Sequence, residues 1–108
     1  MTPEHRIQNE IRVWCGQHDI LCFRCNVGRV RCADGTWFDT GLPKGFPDLI
    51  LLHRGTISFV EVKAAGGYQS PEQRQFERII TDRGYIYVVA RSVGDVIAGL
   101  GYNNDGGN

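Results

Sequence analysis

Three ionisable residues sit where an apolar chain has little reason to put them: Asp48, Glu61 and Lys63, within Gly45 to Lys63, GFPDLILLHRGTISFVEVK. Phe46 to His53 and Thr56 to Lys63 are short runs rich in Ile, Leu, Val and Phe, bounded by Gly and Pro. They read as two buried strands joined at Arg54-Gly55. Side chains alternate across a strand, so Glu61 and Lys63 project from one face and Val62 from the other. A hairpin centred on Arg54-Gly55 brings Asp48 and Glu61 within reach of one cation. Ions in such a hairpin cost free energy unless they are paired, hydrated or occupied by a metal. Two carboxylates, a main-chain carbonyl such as that of Val62, and waters form a hard oxygen site suited to Mg²⁺ or Mn²⁺. Lys63 is then placed to position or deprotonate a water, or to stabilise charge building on a phosphate oxygen.

Pro47-Asp48 followed by Glu61-Val62-Lys63 resembles the PD-(D/E)XK nuclease superfamily. The longer pattern GFPD, EVK, SPEQRQF resembles its virus-type replication-repair nuclease branch, VRR-NUC, in its stand-alone phage and bacterial form. An E-x-K triplet alone arises by chance on surface strands. Pro-Asp between apolar runs, followed by Ser-Pro-Glu-Gln, is the specific part. The resemblance spans Glu10 to about Val89. It implies a restriction-endonuclease-like α/β core, αβββαβ, with a mixed central sheet flanked by helices. It further implies a Mg²⁺- or Mn²⁺-dependent DNA endonuclease with Asp48, Glu61 and Lys63 at the centre, and Gln73 orienting Lys63 or the attacking water. Glu10 would add a third site carboxylate from the N-terminal helix. Branched DNA or four-way (Holliday) junctions, met in replication, repair and recombination, are the substrates it suggests, in a bacterial or phage-infected cytoplasm.

The flanking elements must hold that hairpin in place. Thr2 to His18 reads as an amphipathic helix with Thr2 as cap, Pro3 in the first turn, Glu4 at the positive end of the dipole, and Ile7, Ile11 and Trp14 as buried stripe. Glu10 shares or borders that face, where a pair with Arg6 or Arg12 is the alternative to a site role. Ile20 to Cys32 reads as one strand, turned at Asp34-Gly35 into a return strand over Thr36 to Asp39. Gly28 marks a bulge or a close approach in the first of these. Gly41 to Gly45 is a loop delivering Asp48. Ser70-Pro71-Glu72-Gln73 opens a helix with a capping box, Phe76, Ile79 and Ile80 line it, and Gly84 ends it. Tyr85 to Arg91 follows as a strand parallel to the Glu61 strand through a right-handed βαβ crossover. Ser92 to Leu100 reads as a final helix and residues 101–108 as a disordered Gly-rich tail behind a single domain over 1–100.

The 108 residues carry no net charge, which argues against a purely electrostatic nucleic-acid binder but not against a nuclease, whose carboxylates enter the same total. Arg24, Arg29, Arg31, Lys44 and Arg74 are the candidates for DNA phosphates, against a solvated surface for each. No signal peptide and no apolar run long enough for a bilayer stand in the sequence, so a cytoplasmic protein without a membrane partner is expected. Cys22 and Cys25 have C-x-x-C spacing, but Cys15 and Cys32 stand alone, and buried reduced thiols account for them better than zinc. Two rival functions stay open: a non-catalytic DNA-binding replication accessory module of the same fold, and a zinc-stabilised interaction domain. A homodimer is expected, because paired nicks need two sites in fixed relation, with Trp37 and Phe38 as candidate anchors.

Overall fold

The computed structural model describes residues 1–102. Helix α1 (Pro3–Gln17) starts where expected: the Thr2 hydroxyl accepts the His5 N–H at 3.1 Å, and Pro3 needs no partner in the first turn. Its buried stripe is Ile7, Ile11, Trp14 and Cys15. There follow β1 (Leu21–Arg24), β2 (Arg29–Arg31), β3 (Trp37–Asp39), β4 (Leu49–His53), β5 (Thr56–Val62), α2 (Pro71–Asp82), β6 (Ile86–Ala90) and α3 (Val93–Leu100).

The main sheet runs in the order β1-β4-β5-β6. Strands β1, β4 and β5 are antiparallel neighbours, and β6 lies parallel to β5 after the α2 crossover. The mixed α/β core αβββαβ is therefore built from α1, β1, β4, β5, α2 and β6. One face of this sheet, Leu49, Leu51, Val60, Val62, Val88 and Ala90, packs on the α1 stripe and on Val96 of α3. Each fully buried aliphatic side chain there contributes roughly 1.5–3 kcal/mol. The other face lies under α2, where Phe46 meets Phe59 and Phe76 edge-on, at 6.2 and 5.8 Å between ring centres.

The single strand read over Ile20 to Cys32 is in fact two. Cys25 still continues the pairing, its N–H donating to the Asp48 carbonyl at 2.8 Å, and beyond it Gly28, at φ +75°, bends the chain out of the sheet. Gly28 then donates to Leu42 at 3.1 Å and accepts from Thr40 at 2.8 Å. The hairpin β2–β3 consequently stands apart as its own two-stranded sheet, and all six of its strand residues are exposed.

Gly101 and Tyr102, expected to open a disordered tail over 101–108, are part of the fold. Gly101 closes α3 in the left-handed region at φ 63°, and Tyr102 packs edge-on against Trp14, 5.2 Å between ring centres. The rest of that stretch lies outside the described residues. Among the described residues no helix is long and apolar enough to cross a membrane.

Candidate active site

The register of β4 and β5 sets the site. Leu49 pairs with Val60, so the next pair outward sets Asp48 opposite Glu61. Asp48 Oδ2 accepts the Val62 N–H at 2.8 Å, which locks the carboxylate across the strand end. Glu61 is 1 % exposed. Its Oε2 accepts from Gln73 Nε2 at 2.7 Å and lies 3.7 Å from Lys63 Nζ. Its Oε1 is buried with no hydrogen-bond partner.

A carboxylate so placed resists ionising. Burial, and then the charge of Asp48, push Glu61 up to about 8, with Lys63 pulling the other way. Burial also raises Asp48, against the Val62 N–H, which favours its charged form. A buried pair with an unpartnered oxygen and a disfavoured negative charge fits a divalent cation, and its hard oxygen donors suit Mg²⁺ or Mn²⁺. Among the described residues no three His, Cys, Asp or Glu side chains converge as a metal cluster.

Gln73 uses both ends of its amide. Its Oε1 accepts the Ser70 N–H at 2.8 Å and closes the capping box of α2, while its Nε2 holds Glu61. One amide thus caps the helix and holds the buried carboxylate. The loop before Asp48 is clamped onto the same helix end. A Cβ on Gly45, at φ +91°, would come within 2.6 Å of the Glu72 carbonyl carbon, so only glycine lets the loop and α2 approach this closely. Replacing Gln73 with alanine is expected to destabilise the fold by about 1–3 kcal/mol, from the lost cap and the lost bond to a buried carboxyl group. Urea unfolding of the variant measures this, and wild-type stability would show that the amide bridges nothing of consequence.

Asp48, Glu61, Lys63 and Gln73 are brought together, and the Val62 main chain lies beside them through its N–H. Glu10 is not. It is exposed and stands off the Ile7, Ile11 and Trp14 stripe, so the third carboxylate expected from it is misplaced. Glu4, half-buried in the first turn of α1, is the helix carboxylate whose charge raises both Asp48 and Glu61. Glu4 was legible, since it lies three residues before Ile7 and seven before Ile11, on the buried face. Its place at the helix start had suggested only a dipole partner.

Arg24, Arg29, Arg31, Lys44 and Arg74 are all exposed, and among the described residues none makes an ion pair. All four cysteines are free, with Cys15 buried in the core and Cys22 packed against it. They form no zinc cluster among the described residues.

The model of the family described as VRR-NUC domain matches residues 2–94. A solved structure titled "VRR_NUC domain" is similar to this chain at 25 % sequence identity and a TM-score of 0.70, over 94 % of this chain and 98 % of that one. Among curated proteins no match was found.

Proposed function

The chain belongs to the VRR-NUC family, a nuclease-type domain with DNA as its partner, and from that premise we propose a divalent-metal-dependent DNA endonuclease that hydrolyses phosphodiester bonds. The observation that carries this reading is the Asp48–Glu61 pair: buried, mutually repelling, with one oxygen unpartnered and a lysine at its edge. A DNA-binding module without catalysis has no need to hold two carboxylates against phosphates.

Asp48 and Glu61 would hold Mg²⁺ or Mn²⁺ directly, the Val62 carbonyl would be a further ligand, and Glu4 would add negative charge behind them. When bound, the ion supplies Lewis acidity that acidifies a water and draws charge from a phosphate oxygen. Gln73 fixes Oε2 of Glu61 and leaves Oε1 as the oxygen free to bind. Lys63, with a side chain 12 % exposed, is tethered by Glu61 at the mouth of the site. There its ammonium positions the attacking water and stabilises the charge that grows on the phosphate. Arg24, Lys44 and Arg74 hold the flanking backbone phosphates.

We further place branched DNA or four-way junctions as the preferred substrates, cut by a two-fold homodimer whose two sites nick opposing strands. Exposed Val13 on α1, with Leu21 and Phe23 on edge strand β1, supports a partner surface of this kind, and Phe38 extends it onto the hairpin. The deciding experiment is a cleavage panel of single-stranded, duplex, flap and four-way-junction DNA with Mg²⁺, Mn²⁺ or chelator. Metal-dependent cutting that favours branched DNA is expected. No cutting of any member overturns the enzyme.

A further inference from the structure

The β2–β3 hairpin is the one part of the described molecule whose residues the fold does not need for its core. Its two strands pack on each other and on little else. An isolated two-stranded hairpin is marginal in water, yet this one is held in shape at both ends. At the base, the Gly28, Leu42 and Thr40 backbone bonds tie it to the loop that delivers Asp48. At the tip, Asp34 accepts from both the backbone N–H and the hydroxyl of Thr36, at 2.9 and 2.6 Å. From Gly28 to Gly35 the arm extends ~20 Å from the edge of the site, at about 3.3 Å per residue.

The pairing register divides the arm into two unlike faces. Val30 lies opposite Phe38 on one, and Arg29, Arg31, Trp37 and Asp39 share the other. On that second face two guanidinium groups stand over one indole, with Arg29 at 5.3 Å and Arg31 at 5.8 Å from the ring centre. The ring remains 55 % exposed. Cross-strand cation–π contact steadies the hairpin, but one cation would serve for that. A second raises local repulsion, offset only by Asp39 on the same face. Between Arg24 and Lys44 the chain carries four basic and two acidic side chains, in a protein of zero net charge.

We propose that this face of the arm binds a nucleic-acid strand outside the cleavage centre, with an unpaired base stacked on Trp37 and its flanking phosphates held by Arg29 and Arg31. The proposal takes DNA as partner from the nuclease reading above. An indole stacks on any base whose π-face is free, so the arm selects for the unpaired positions found at flaps, tails and junction centres, not for sequence. Two guanidinium groups beside the ring suit a polyanion and oppose burial in an apolar protein contact. Arg31 and its cross-strand partner Trp37 lie three residues beyond Gly28, about 10 Å out along the arm.

The test is fluorescence anisotropy in chelator with two labelled probes, a blunt DNA duplex and the same duplex carrying a ten-thymidine single-stranded tail. Trp37→Ala should weaken binding of the tailed probe about tenfold, the effect of losing one stacked base, and leave the blunt duplex unaffected. Trp37→Phe should recover much of that loss, because a ring is kept. Equal affinity of wild type and Trp37→Ala for the tailed probe overturns the proposal. So does an equal loss on both probes, which would mean a duplex grip without stacking. If Trp37→Ala instead lowers the mass seen by light scattering while DNA affinity per protomer holds, the face contacts a second copy and the proposal fails. Adding Mg²⁺ separates the two readings. Cleavage without a Trp37 effect rejects only the arm, and a Trp37 effect without cleavage rejects only the nuclease.

Discussion

Lys63→Ala is expected to lower the cleavage rate by about 10²–10³-fold, with folding and DNA binding close to wild type. Among the described residues the Lys63 ammonium pairs with Glu61 alone, at 3.7 Å at the edge of the site, so the fold loses little when it is removed. The reaction loses the cation that, among the described residues, pairs with the buried carboxylate. Removing it also removes a charge that eases ionisation of Glu61, so Glu61 in the variant should shift further up. Single-turnover cleavage at saturating enzyme reads the chemical step directly. A wild-type rate would make Lys63 a structural counter-charge and leave the attack on phosphorus without its donor.

Glu61→Gln tests the buried pair from the side of stability. In wild type the folded Glu61 titrates near 8, above the ordinary value of 4.5. The folded state therefore binds more protons than the unfolded state between those limits, and stability must fall as pH rises through that window. The contribution is fully present below 4.5 and is lost as pH passes 8. In chelator, wild type should lose on the order of a few kcal/mol between pH 5 and pH 9, whereas Glu61→Gln should show a much flatter profile. At high pH the variant should be the more stable protein, since an isosteric amide replaces a buried charge. Added Mn²⁺ at 100 times its Kd should stabilise wild type at neutral pH by about 2.7 kcal/mol and the glutamine variant far less. Urea unfolding across this pH range checks both statements. Superimposable pH profiles would remove the basis for a strained carboxylate.

Much of this arrangement is legible in the residues. Apolar runs broken at Arg54-Gly55 dictate β4 and β5 and bring Asp48 opposite Glu61. Ser70, Pro71 and Gln73 announce α2, and a strand after a helix of that length has to return parallel. The breaks in legibility have physical causes. Ile20 to Cys32 has strand-like composition throughout, but whether a residue pairs depends on which edge is open to it. Past Cys25 the chain leaves the β4 edge and Gly28 pairs with Leu42 and Thr40 instead, so the ladder stops. Glu10 and Glu4 differ by which side of one helix they occupy, Glu10 exposed and Glu4 half-buried, and a carboxylate expected from this helix does not say which. For Gln73 the capping role and the site role were legible only as alternatives. A side-chain amide has two ends, and the fold uses both at once.

The central claim is that Asp48 and Glu61 form a divalent-metal site, and calorimetric titration of Mn²⁺ into wild type and Asp48→Asn at pH 7 tests it most directly. Wild type should bind with release of a proton into the buffer, because Glu61 is largely protonated there and must ionise to act as a ligand. Asp48→Asn keeps the shape, removes a ligand charge, and should lose most of the binding heat. Absence of Mn²⁺ binding by the wild type, or an unchanged isotherm in Asp48→Asn, would contradict the account.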